Sequence, residues 1–176
     1  MAGTVMKRHE LEHVLRAAGS ITDETDFVVM GSQAILGTVA DPLESLLGSL
    51  EVHLYPRNNP EISDLIGGSI GNGSPFHETF GYYGQGADLS SVTLAKGWKQ
   101  RLAPFSSANT RGVIGWCLSP EDLAFCKLAA GSKEDLDYVS ELLNSKVLNA
   151  EGVRSLGLSP EVDQQVESRL QSAEKV

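Results

Sequence analysis

Two short stretches of the chain carry residue types suited to holding phosphate. Gly31-Ser32 follows the apolar run Phe27, Val28, Val29 and Met30. A glycine at the end of a strand lets backbone approach an anion, and a serine hydroxyl with the amides of a following helix supplies donors. Downstream, Ser49 precedes a second strand-like run, Leu50-Glu51-Val52-His53-Leu54-Tyr55, stopped by Pro56. Glu51 and His53 stand at i and i+2, so they share one face of a strand and are the candidates to hold a divalent ion. The carboxylate of Glu51 suits Mg²⁺. The imidazole of His53 is a poor ligand for that hard ion and a better one for Mn²⁺.

Three further residues join these. Lys127 sits among Cys126, Leu128 and Ala129, where a lysine must snorkel, pair with an acid such as Asp135 or Glu51, or contact a ligand. His77, between Phe76 and Glu78, is either a base or phosphate contact or a structural hydrogen-bonder. Asp135 follows Ser132 by three residues, which also makes it an ordinary helix-start residue. Plainer readings stand beside the others as well. Gly31-Ser32 reads equally as a common turn, and Glu51 with His53 as the solvated face of an edge strand, since Val52 and Leu54 point the other way.

The elements that must position these residues are legible from periodicity and punctuation. Residues 6–18 predict an amphipathic helix, with Leu11, Val14, Leu15 and Ala18 on one face and Gly19-Ser20 ending it. The strand, Gly-Ser turn and short helix (Gln33, Ala34, Ile35, Leu36) come next, broken by Asp41-Pro42, and then the Glu51 strand. Pro60 starts a short helix with Ile62, Leu65 and Ile66. Residues 67–86 are rich in glycine and aromatics and predict a shaped loop followed by a short strand. That loop either lines a site or merely covers the sheet edge. Further strands are expected at 92–94, 102–105 and 113–118. Ser119-Pro120-Glu121-Asp122 is a capped helix start, Gly131 a stop, and Ser132 a second start. Small helices are expected at 149–156 and after Ser159-Pro160, the last with Val162, Val166 and Leu170 in a thin stripe.

Composition narrows the classes. The chain has 176 residues, 41% hydrophobic and 21% charged, as in a globular protein. A formal charge of -9 argues against broad DNA binding, which wants a basic face; Lys96, Lys99 and Arg101, close together with Arg111 a little further on, leave room for a local basic patch. Cys117 and Cys126 read as reduced core thiols, which together with the absence of a membrane-length apolar run or signal-peptide core predicts a cytoplasmic protein.

Taken in order, the pieces GSQAIL, SLEVHLYP, SPFHETFGYY, GWKQRL, GWCLSPEDLAFCKLAAG and KEDLDYV resemble a bacterial nucleotidyltransferase-like family of unknown role, distantly related to the AbiEii and MenT toxins of toxin–antitoxin systems. The resemblance covers residues 7–150. It implies an α/β (α+β) fold: a small mixed sheet with packed helices, and a helical C-terminal part. Residues 1–150 would form the nucleotidyltransferase-like domain and 151–176 a C-terminal helical extension. Matched by position, Gly31, Ser32 and Ser49 would bind nucleotide and Glu51, Lys127 and Asp135 would serve catalysis, with Glu51 and His53 holding the metal; His77, which is not among the matched positions, is a further nucleotide-binding candidate from its own setting. His53 stands where such relatives carry a second metal-binding Asp, and Ser132 where they usually carry Arg. The implied chemistry uses an NTP with Mg²⁺ or Mn²⁺ and a protein or RNA acceptor, with a cognate toxin or antitoxin as partner. The alternative is a catalytically degenerate module that binds a protein.

Overall fold

The computed structural model describes residues 5–156 and 160–175. Its centre is β1 (Asp26–Met30), of which four of five residues are buried. Such a run, apolar on both sides, suits only the middle of a sheet. The sheet has five strands in the order β3-β2-β1-β5-β4. β2 (Glu51–Pro56) runs antiparallel to β1, and β3 (Tyr83–Gly86) parallel to β2. On the other side β5 (Ile114–Cys117) is parallel to β1, and β4 (Ala103–Phe105) antiparallel to β5. The sheet is therefore mixed, and the fold α/β as the sequence predicts.

Helix α1 (Arg8–Thr22) buries Leu11, Val14, Leu15 and Ala18. It runs past Gly19-Ser20 to a left-handed cap at Asp23. Gly19 is there for close approach, not as a stop: a Cβ added to it would lie 2.5 Å from Val113 Cγ2. Next come a 3₁₀ turn (Ser32–Ala34) and α2 (Ile35–Thr38), only four residues long. Beyond β2 lies α3 (Ser63–Ile70). The expected loop after it holds a further helix, α4 (Pro75–Phe80), with Ser74 Oγ accepting from His77 N–H and Pro75 at its start. This is the same Ser-Pro signal that starts α5, obscured here by surrounding glycines. The strand expected at 92–94 does not form.

Four helices complete the chain: α5 (Pro120–Ala130), α6 (Lys133–Asn144), α7 (Ala150–Arg154) and α8 (Pro160–Glu174). The expected start at Ser159 lies outside the described residues. α8 packs on α5 and α6 and adds Val166, Leu170 and Ala173 to the same core as the sheet. Its Arg169 donates through Nη1 to the Leu128 and Ala129 carbonyls at 2.6 and 2.8 Å, satisfying carbonyls left open at the C-terminal end of α5. Among the described residues, no helix is long and apolar enough to cross a membrane.

One connection bears on the site. β3 and β4 lie at opposite edges of the sheet, so residues 87–102 must pass from one edge to the other. This strap begins with Ala87 N–H bonded to Leu54 O at 2.7 Å. At its far end the Arg101 guanidinium forks onto Asp122, Nε to Oδ2 at 2.8 Å and Nη2 to Oδ1 at 2.7 Å. Asp122 is wholly buried and also accepts from the Ser119 hydroxyl at 2.6 Å. The guanidinium is held above its ordinary pKa chiefly by that bond to Asp122. Arg101 is thus an anchor and not part of a free basic patch; Lys99 lies over the Trp98 ring.

Candidate functional site

Alternation on β2 sorts its side chains: Val52 and Leu54 are fully buried, whereas Glu51 and His53 fall on the other, half-open face. His53 lies opposite Met30 of β1, and Glu51 opposite Tyr83 of β3. On that face His53 Nε2 meets Glu51 Oε1 at 2.8 Å. The Tyr83 hydroxyl also bonds the Glu51 carboxylate. Burial first, then the Glu51 charge and this bond, push the Tyr83 phenol above its usual pKa.

Gly31 ends β1 with φ 75° and ψ −171°, a region essentially closed to residues with a Cβ. A Cβ here would also lie 3.1 Å from His53 Nδ1. The backbone therefore passes close to the imidazole. The segment after Gly31 is less like a phosphate-binding helix. Ser32 opens a 3₁₀ turn and α2 has one turn, too few aligned peptides for a useful dipole. The Ser32 carbonyl accepts from the Tyr138 hydroxyl at 3.1 Å, which is shared with Leu46 O at 3.1 Å. Burial raises the Tyr138 pKa, so the phenol remains a donor. Gln33, fully buried, donates from Nε2 to the Ser49 carbonyl and ties the turn to the start of β2.

The α5–α6 corner supplies the cation. Lys127 Nζ lies 3.5 Å from Asp135 Oδ1 and 4.4 Å from the centroid of the Tyr138 ring. Its side chain is only 14% exposed, so the ammonium is fixed between an acid and a ring face instead of snorkelling freely. Asp135 is held in turn by Ser132: its Oδ2 accepts from the serine hydroxyl at 2.7 Å, while Asp135 N–H donates back at 3.1 Å. Ser132 thus closes a capping box on α6, and Asp135 is both helix cap and partner of Lys127.

Gly31, His53, Lys127 and Asp135 line one cavity of about 330 Å³. They come from the β1 turn, β2, α5 and α6. Glu51 reaches this cavity through His53. Ser32 and Ser49 do not line it. Ser49 Oγ is taken by the Glu51 amide at 3.2 Å. His77 does not line it either. Its Nδ1 accepts from Gly73 N–H at 3.0 Å and its ring packs on Tyr83, centroids 4.5 Å apart.

The rest of the lining is not singled out by the sequence. One wall is apolar, from Met30, Leu118, Leu123, Cys126 and Ala130; the strap contributes Ala87, Asp88, Ser91 and Val92. Burial pushes the Cys126 thiol up to about 12, so it acts here as a small apolar group. The apolar wall reads in the sequence only as core. The strap residues carry no local signal of a site.

As a resident metal centre this donor set falls short. Glu51 and His53 offer one carboxylate and one imidazole, already bonded to each other. Among the described residues no three His, Cys, Asp or Glu side chains are grouped to hold an ion, whereas Mg²⁺ wants about six oxygen ligands.

No curated protein and no solved structure matches the chain. One family, described as nucleotidyltransferase of unknown function (DUF6036), matches residues 9–173, and so takes in β1, β2, the cavity and nearly all of α8. The chain belongs to this nucleotidyltransferase-like family of unknown function.

Proposed function

We propose that the cavity binds a nucleoside triphosphate and that the protein transfers its nucleotidyl group to a hydroxyl of a protein or RNA acceptor, as one member of a toxin–antitoxin-type pair. The observation that supports this most is the meeting of Gly31, His53, Lys127 and Asp135 at one cavity in a chain of a nucleotidyltransferase family. Four elements distant in sequence converge there, which ordinary core packing does not require.

In this reading the backbone at Gly31 admits the phosphates. Lys127, placed 3.5 Å from Asp135, exchanges that contact for phosphate oxygens and offsets the charge that develops on them. The acceptor oxygen forms a bond to the α-phosphorus as the bond to pyrophosphate breaks. The electron pair leaves on pyrophosphate and the acceptor proton passes to solvent. Glu51 and His53 are too small a set for a resident ion, so Mg²⁺ or Mn²⁺ enters with the triphosphate.

A second reading is favoured by one observation: Glu51 pairs with His53, and Lys127 with Asp135, so the polar groups satisfy one another. This describes a degenerate module whose task is protein binding. Incubation with each α-³²P-labelled NTP, with Mg²⁺ or Mn²⁺ and a lysate of RNA and protein, separates the two. Label on a protein or RNA supports transfer. Absence of label with all four nucleotides supports the module.

A further inference from the structure

We propose that the apolar wall and the strap of this cavity form a nucleobase compartment in which Asp88 reads an amino group, so that adenine, guanine and cytosine nucleotides are taken in preference to uracil. The inference rests on the nucleotide reading above.

The cavity is mixed in chemistry: it is lined by His53, Lys127 and Asp135 and also by Leu118, Leu123 and Cys126. A triphosphate needs no apolar wall; a planar base does, because its faces gain from leaving water. About 330 Å³ lies at the low end of small-ligand pockets and suits a single nucleotide.

The strap residues that line the cavity bring few polar groups. Asp88 is exposed at the cavity, and its Oδ1 accepts from Ser90 N–H at 2.9 Å. The Ser90 N–H holds the carboxyl below its ordinary pKa, so it is ionised and can only accept. The Ser91 hydroxyl is spent on the Asp88 carbonyl at 2.7 Å. A carboxylate that can only accept selects for a donor. Adenine, cytosine and guanine each present an exocyclic amine, and guanine adds an adjacent ring N–H. Uracil presents one N–H between two carbonyl oxygens, which a carboxylate repels.

The test is calorimetry on the full chain with the four NTPs and inorganic tripolyphosphate, each with Mg²⁺. The wild type is expected to bind UTP on the order of tenfold more weakly than the other three, the scale of one charge-assisted hydrogen bond. Asp88→Asn keeps the cap on Ser90 and can donate as well as accept, so UTP should come to within about threefold of the others. Ala130→Phe and Val92→Phe, both at exposed positions that line the cavity, narrow the compartment from α5 and from the strap. Each should weaken all four NTPs while tripolyphosphate binding stays unchanged. Equal affinity for all four NTPs in the wild type, or NTP binding untouched by both phenylalanines, overturns the compartment while leaving the phosphate site standing. Failure of both NTPs and tripolyphosphate to bind overturns the nucleotide reading itself, and the compartment with it.

Discussion

His53 Nε2 lies 2.8 Å from Glu51 Oε1, so the two side chains that the sequence offers as metal ligands are bonded to each other. The other ring nitrogen, Nδ1, faces the backbone of Gly31. Where a pair of carboxylates would repel one another and attract a cation, this pair is internally satisfied.

His53→Asp replaces that contact with two like charges sharing one strand face. Mg²⁺-dependent NTP binding is expected to tighten about tenfold or more, the worth of one charge-assisted contact. Titration of the wild type with MgCl₂ alone should give no heat. Calorimetry checks both. Unchanged NTP affinity in the variant would remove position 53 from the site.

Gly31→Ala forces a Cβ into a backbone region reserved for glycine and to within 3.1 Å of the imidazole. Urea unfolding should show a loss of about 1–3 kcal/mol. An alanine tolerated at no cost would mean that the turn after β1 is free to relax, and that its shape is not set by φ 75°.

Arg101→Met leaves the buried Asp122 carboxylate without its forked partner, although the Ser119 hydroxyl and amide remain. The expected loss is about 3 kcal/mol, at the low end for a broken buried pair. Because Arg101 anchors the strap to α5, the same variant should expose the strap to proteolysis before the sheet unfolds. Cleavage within residues 87–101 under native conditions is the readout.

The Trp116 indole N–H, 2.8 Å from Asp26 Oδ1, and the Thr25 hydroxyl, 2.7 Å from Oδ2, lower the Asp26 pKa below its ordinary 3.8. A depressed carboxylate contributes stability that is full above the unfolded value and lost as pH falls through the folded one. Asp26→Asn should therefore melt lower than wild type at pH 7, and the gap should shrink below pH 3.8. A gap independent of pH would mean that the cost comes from packing.

Much of this arrangement is legible in the sequence because local rules and tertiary demands agree. Phe27 to Met30 has the apolar content of a central strand, Val52 and Leu54 alternate with Glu51 and His53, and Ser119-Pro120 and Ser132 announce their helices. The convergence of Gly31, His53 and Lys127 comes with the placing of those elements. The features that escape depend on contacts between distant segments. Gly19 looks like a stop until Val113 is found against it. Residues 67–86 hide a capped helix because glycines outweigh its Ser-Pro signal. Asp88 and the apolar wall meet at one cavity only when the strap crosses the sheet, a path that no local pattern encodes. Whether His77 meets a phosphate or serves as a structural hydrogen-bonder is open from its neighbours alone; in the fold it accepts from Gly73 N–H and packs on Tyr83.

The central claim, that this cavity is a nucleotide site with Lys127 as its cation, is tested most directly by the NTP dissociation constant of wild type against Lys127→Met. Methionine keeps the apolar stem, and the Ser132 cap still holds Asp135, so the melting temperature should change little. Wild type is expected to bind measurably and the variant about tenfold or more weakly than wild type. Equal affinity in the two proteins, or no binding by wild type, would contradict that claim.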